Sequence, residues 1–177
     1  VKQVIFNTKT EVVTEKLVSS DGDYPVYAKR EGGVVNFYTE ADSYHVQNPD
    51  WFFQDFISLE SIDLSSWDLS TATSFQGVFE NCQSLTSIEF GDIDVSNVKV
   101  FVDAFSGCRS LTSLDLSSFH PDKVENMNLM FHNCSKLTTL DLSTFSTVHV
   151  TEMVHMFSGC KNLDCLNLSS FSSESLK

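Results

Sequence analysis

The stretch CRSLTSLDLSSFHPDKVENMNLMFHNC, from Cys108 to Cys134, decides how this chain is read. Its two cysteines stand 26 residues apart, and Cys82 and Cys160 extend the same step on either side. Within it, Leu114 and Leu116 alternate with Ser113 and Asp115, the period of two of a short strand with one buried face. A loop anchored by Phe119 follows. Val124, Met127, Met130, Phe131 and Cys134 then fall at i, i+3, i+6, i+7 and i+10, a spacing that predicts an amphipathic helix. The residue before each cysteine is Asn81, Gly107, Asn133 or Gly159. Glycine and asparagine tolerate the left-handed conformation, so this column is expected to end the helix.

Working outward, the same step recurs in five columns. One is Leu59, Leu85, Leu111, Leu137 and Leu163. A second is Ile62, Ile88, Leu114, Leu140 and Leu166, and a third Leu64, Phe90, Leu116, Leu142 and Leu168. Phe53, Phe79, Phe105, Phe131 and Phe157 form a fourth, and Trp67, Ile93, Phe119, Phe145 and Phe171 a fifth. Strands of equivalent units separated by long crossovers must run parallel. A single unit cannot cover its own apolar faces, whereas stacked units bury a shared interior. The expected fold is therefore an α/β solenoid: a parallel sheet on the concave face, helices on the convex face, and the fifteen phenylalanines as internal spines.

The expected division is a β-rich cap over 1–50 and five 26-residue repeats over 51–177. β-like stretches at Val1–Phe6, Tyr24–Lys29 and Val34–Thr39 lie in the cap, the last two as a hairpin around Gly32-Gly33. The cap is expected to cover the first repeat, where Phe56 stands in place of the cysteine. The chain starts without an initiator methionine and shows no signal peptide, which is expected of a processed form. At the other end, Leu176 falls in the column of Val98, Val124 and Val150, so the pattern either continues in a longer chain or frays there.

The segment Ala104-Phe105-Ser106-Gly107-Cys108-Arg109-Ser110-Leu111-Thr112-Ser113-Leu114-Asp115-Leu116-Ser117 resembles the AFxxCxxLxxL unit of BspA-like leucine-rich-repeat surface proteins. Met156-Phe157-Ser158-Gly159-Cys160 and Leu140-Asp141-Leu142-Ser143-Thr144-Phe145 resemble their MFxxC…LDLSxF subtype. The resemblance covers residues 51–177 and, more loosely, Val26–Val46. It implies a right-handed leucine-rich-repeat superhelix, secreted or held at the cell surface. It also implies adhesion to a host matrix or cell-surface protein. It supplies no binding residues that carry over.

Composition limits the functions to consider. A formal net charge of −13 repels phosphate backbones and argues against nucleic acid. No apolar run is long enough for a membrane-spanning helix. No phosphate loop or dinucleotide fingerprint appears, and the serines recur as a structural pattern. No catalytic site and no cofactor are expected.

Asp63, Glu89, Asp115 and Asp141, followed by Asn167, recur on the exposed strand face between serine-rich columns. Carboxylates one strand spacing apart repel by roughly 1 kcal/mol in water. They either bond to neighbouring serines or meet a basic ligand, and this strip is the candidate ligand-binding site. The aligned cysteines are expected to be small buried hydrophobes, neither disulfides nor metal ligands. Cys165, in an exposed column, is either a reactive thiol or a stand-in for serine. His120, His132, His149 and His155 share no column and imply no metal site, and His45 stands isolated in the cap. Trp51 and Trp67 are expected to pack in or beside the core. Tyr24, Tyr27, Tyr38 and Tyr44 suggest a small hairpin core, or a surface that stacks on glycans. The favoured function is a protein-binding surface module. The alternatives are a spacer or stalk that displays another domain, and a carbohydrate-binding cap.

Overall fold

The computed structural model describes residues 3–7, 17–19, 26–31, 34–38 and 44–172. Eleven short strands lie in them: β1 (Gln3–Asn7), β2 (Leu17–Ser19), β3 (Val26–Glu31), β4 (Val34–Tyr38), β5 (Tyr44–His45), β6 (Ser61–Asp63), β7 (Trp67–Asp68), β8 (Ser87–Glu89), β9 (Ser113–Leu114), β10 (Thr139–Asp141) and β11 (Cys165–Asn167). Parallel pairing joins β6 to β8, β9 to β10 and β10 to β11, each partner 26 residues along the chain. Thus each 26-residue segment forms a coil that lies on the one before it.

A second ladder runs on the other side of the coils. Ser74 bridges to Val100, Val100 to Asn126 and Asn126 to Glu152, all parallel. Between this ladder and the cysteine corner lies the segment expected to be helical. Its N–H groups do not bond along a helix. Those of Met127, Leu129, Phe131 and Asn133 donate to the carbonyls of Glu152, Val154, Met156 and Ser158 in the next coil, at 2.9, 2.9, 2.9 and 2.7 Å. Those of Met130, His132 and Cys134 close three-residue turns onto Met127, Leu129 and Phe131.

These bonds overturn the expected fold class. The α/β solenoid, a leucine-rich-repeat right-handed superhelix with helices on a convex face, is not what forms. Among the described residues there is no helix, and short strands in small parallel sheets alternate with turns. The physical reason is spacing. Ladders on both sides of the coil hold successive coils about 4.8 Å apart. Packed helices need 8–10 Å between axes. The inward residues fall every third position because the chain turns every three residues. Asn81, Gly107, Asn133 and Gly159 do take positive φ, but as members of this turn segment.

The stack is filled by aromatic columns. Phe53, Phe79, Phe105, Phe131 and Phe157 lie ring on ring, with centroids 5.4, 5.7, 5.5 and 5.8 Å apart and near-parallel planes. Phe119 and Phe145 stack beside them, and Phe75 and Phe101 meet at a tilt. Val124, Met127 and Met130 are buried against these rings, as are Cys82, Cys108 and Cys134.

On the N-terminal side, β3 and β4 pair antiparallel, with Tyr27 opposite Tyr38 and Glu31 opposite Val34. Strand β1 lies parallel between β4 and β6, setting Gln3, Val4 and Ile5 against Ser61, Ile62 and Asp63. The first coil's ladder edge is thereby covered. Gly32-Gly33, Tyr24, Leu176 and Lys177 lie outside the described residues, as do the side chains of Tyr27, Tyr38 and Tyr44. Trp67 is buried in the core, and Trp51, 41% exposed, packs beside it. Trp51 lies across Gly77, where a Cβ would come within 1.9 Å of the indole.

Candidate functional site

The strand face carries the acidic column as expected, and each carboxylate is held by its own backbone. Asp115 Oδ1 accepts from the N–H of Ser117 at 2.9 Å, and Asp141 Oδ1 from Ser143 at 2.8 Å. Asp63 Oδ1 accepts from both the N–H and the hydroxyl of Ser65, at 2.9 and 2.6 Å. Glu89 reaches the N–H of Gly91 at 3.2 Å. Each of these closes a turn onto the residue two places on, so the acidic residue ends its strand, or directly follows it in the case of Asp115, and starts the corner. Gly91 takes the serine's place in its coil at φ +59°, where a Cβ would lie 2.9 Å from that of Ser65.

These bonds fix the charge as well as the geometry. The backbone N–H of Ser117, followed by its hydroxyl, holds the Asp115 carboxyl below the usual range. The hydroxyl and N–H of Ser143, with the amide of Asn167, do the same for Asp141. Mutual repulsion along the column is therefore offset locally, and both groups stay ionised. The structure brings Asp63 opposite Glu89 in register, and Asp141 opposite Asn167. Asn167 donates to Asp141 Oδ2 at 3.1 Å, so the last position turns a repulsion into a bond. The outer oxygens of Asp63 and Asp115 have no hydrogen-bond partner among the described residues.

Beside this column, Leu114, Thr139, Leu140, Asp141, Cys165 and Asn167 line a shallow, open depression of about 210 Å³. It offers an apolar floor with a carboxylate, an amide and a thiol at its rim. Cys165 is exposed there, in the position Ser61, Ser87, Ser113 and Thr139 take in earlier coils.

The other thiols point inward. Cys82, Cys108, Cys134 and Cys160 donate to the carbonyls of Phe53, Phe79, Phe105 and Phe131, each in the preceding coil, at 3.0–3.2 Å. Burial pushes the Cys82 and Cys134 thiols up to about 12, and Cys108 well above its ordinary value. Phe56 replaces the cysteine in the first coil, where no earlier coil supplies a phenylalanine carbonyl. Reading these cysteines as small hydrophobes missed this donor role, although their fixed place three residues after each phenylalanine was the available signal.

His45 is not isolated. Its Nδ1 lies 3.0 Å from Asp68 Oδ2 and its Nε2 3.1 Å from Thr71 Oγ1, tying β5 to β7. Thr71 stands one 26-residue step after His45, whereas Asp68 lies outside that column, so the period pointed to the first contact and not to the second. Among the described residues, no three histidines, cysteines or carboxylates are grouped to hold a metal ion, and no helix is long and apolar enough to cross a membrane.

A family model matches residues 44–172, all of the described coils. The chain belongs to the family described as "Mycoplasma protein of unknown function, DUF285". No curated protein and no solved structure matches the chain. The DUF285 match begins at Tyr44 in β5, so strands β1–β4 lie outside it.

Proposed function

We propose that this chain is a binding module exposed at the cell surface, which holds the basic region of a host matrix or cell-surface protein against its strand face. The observation that carries this reading is the row Asp63, Glu89, Asp115 and Asp141. Its carboxylates are oriented by turns before any ligand arrives, and the row stays charged on the exposed strand face. Preorganised charges lose little freedom on binding, which is where association energy is otherwise spent. The net charge of −13 adds long-range attraction for a basic partner. The depression beside the row is open, as suits a protein surface better than a small substrate. The likeness of the repeat to BspA-like surface proteins supports the location and the class of partner.

The test is surface plasmon resonance of the purified chain against fibronectin and fibrinogen across a salt series. Binding should weaken steadily with salt, and the double variant Asp115→Asn/Asp141→Asn should weaken it several-fold. Asparagine can still accept the turn bond, so the variant removes charge and keeps the corner. Silence towards both proteins, or binding indifferent to salt and to the double variant, would sink the reading.

A further inference from the structure

The tether between β5 and β7 carries a chemical arrangement that its structural role does not use. Asp68 Oδ1 accepts the N–H of Ser70 at 3.0 Å, which fixes the carboxylate and leaves Oδ2 facing His45 Nδ1 at 3.0 Å. On the far side of the imidazole, Nε2 lies 3.1 Å from Thr71 Oγ1. The Ser70 hydroxyl, against partial burial, and then the Ser70 N–H and His45 hold the Asp68 carboxyl below its ordinary value. An ionised carboxylate only accepts hydrogen bonds, so the proton of the neutral ring sits on Nδ1. Nε2 is then an acceptor, and the Thr71 hydroxyl donates to it.

No catalytic site is expected from the sequence, since Asp68 lies off the 26-residue step that joins His45 to Thr71. Yet a hydroxyl, a base within hydrogen-bond reach and a group that orients the base are the three parts of an activated nucleophile. Parallel pairing sets His45 opposite Asp68, and the Val46 N–H donates to the Asp68 carbonyl at 2.9 Å, so backbone bonds frame the three. Asn97, Lys123 and His149 follow Thr71 along its column, so no later coil repeats the arrangement. Thr71 is exposed, which leaves its hydroxyl open to a reagent. Its own N–H donates to no acceptor among the described residues and is free to stabilise charge on an acyl oxygen.

We propose that Thr71 is a nucleophile that takes the acyl group of carboxylic esters, with His45 as general base and Asp68 as its positioning residue. Thr71 Oγ1 bonds to the acyl carbon while its proton passes to His45 Nε2. The carbonyl electron pair moves onto the acyl oxygen. As that pair returns, the bond to the leaving alkoxide breaks, and the alkoxide takes the proton from Nε2. Water then attacks the acyl ester on Thr71 and gives a proton to Nε2, and Oγ1 departs with that proton. The sum is an ester and water giving an acid and an alcohol. The site lies open on a corner, which suits short acyl groups with a good leaving group. None of the three residues belongs to the acidic row, so this reading and the binding reading stand or fall separately.

The probe is 4-nitrophenyl acetate, used on the full chain in a Cys165→Ser background so that the exposed thiol does not compete. Release of 4-nitrophenolate should be roughly tenfold or more faster with the folded chain than with the same chain in urea. After acid quenching and digestion, mass spectrometry should find acetyl on the peptide that carries Thr71. Thr71→Ala should lower the rate roughly tenfold or more, and Thr71→Ser should keep it. The imidazole of His45 survives in Thr71→Ala, so an undiminished rate there would show catalysis by the bare ring and overturn the proposal. So would acetyl found only on other residues. Asp68→Asn keeps an acceptor for the Ser70 N–H but turns an amide towards Nδ1. The ring proton should then move to Nε2, read from the nitrogen-15 shifts of His45, and the rate should fall with it. A changed tautomer with an unchanged rate would also overturn the proposal.

Discussion

The thiol of Cys108 donates to the carbonyl of Phe79, 29 residues earlier, at 3.2 Å, and so stitches one coil to the next from inside the core. The same carbonyl also accepts the N–H of Cys82 within its own coil. Cys108→Ala removes a buried sulfur and one of these two bonds, and should lower stability by roughly 1–2 kcal/mol. Urea unfolding followed by circular dichroism would measure it. Cys160→Ala should cost less, because Cys160 is only partly buried.

Thiol reactivity should separate the cysteines sharply. Burial holds Cys82 and Cys134 at about 12, so almost no thiolate exists near pH 8. A disulfide reagent should modify Cys165 rapidly and the half-buried Cys160 more slowly, with Cys82, Cys108 and Cys134 appearing only on denaturation. Cys165→Ser should remove the fast phase. Rapid modification of Cys108 in the folded chain would contradict the packing described above.

Phe105 lies between Phe79 and Phe131, with centroids 5.7 and 5.5 Å away. Phe105→Ala opens a cavity that stacked coils cannot close, and should cost about 3–5 kcal/mol. Phe157→Ala, at the partly open end, should cost clearly less. Comparing the two unfolding midpoints checks that the spine is continuous.

Gly107 sits at φ +75°, and a Cβ there would meet Asn81 Oδ1 at 2.7 Å and Asn81 Cα at 3.3 Å. Gly107→Ala therefore adds both backbone strain and a clash with the coil before it, for roughly 1–2 kcal/mol. Leu129 shares the left-handed conformation at φ 58° without being glycine. Leu129→Gly relieves strain of about 1 kcal/mol there, so thermal melting should show a much smaller loss than for Gly107→Ala.

The acidic corners set the acid limit of stability. Hydrogen bonds from Ser117 and Ser143 hold Asp115 and Asp141 below their ordinary values in the folded chain. A carboxyl depressed on folding stabilises above its unfolded value, about 3.9, and loses that contribution as pH falls through the folded one. The melting temperature should hold steady from neutral pH to about 5 and then fall below about 4. Asp115→Asn/Asp141→Asn should blunt that fall, and an unchanged acid limb in this variant would show that the turns do not couple to it.

Sequence alone determined the period, the columns and their inward or outward sense. Identical steps of Leu, Phe and Cys leave one way to bury them, ring on ring along a stack. It also located the acidic row and the left-handed column of Asn81, Gly107, Asn133 and Gly159. Only the tertiary structure decided that the segment from Val124 to Cys134 turns rather than coils into a helix. Inward residues every three or four positions fit both, and the choice rests on where the N–H groups of Met127, Leu129, Phe131 and Asn133 find acceptors. Those acceptors lie one coil away, at a spacing too narrow for helices. The tether of His45 to Asp68 was hidden for the same reason: it spans 23 residues, off the 26-residue step that separates His45 from Thr71.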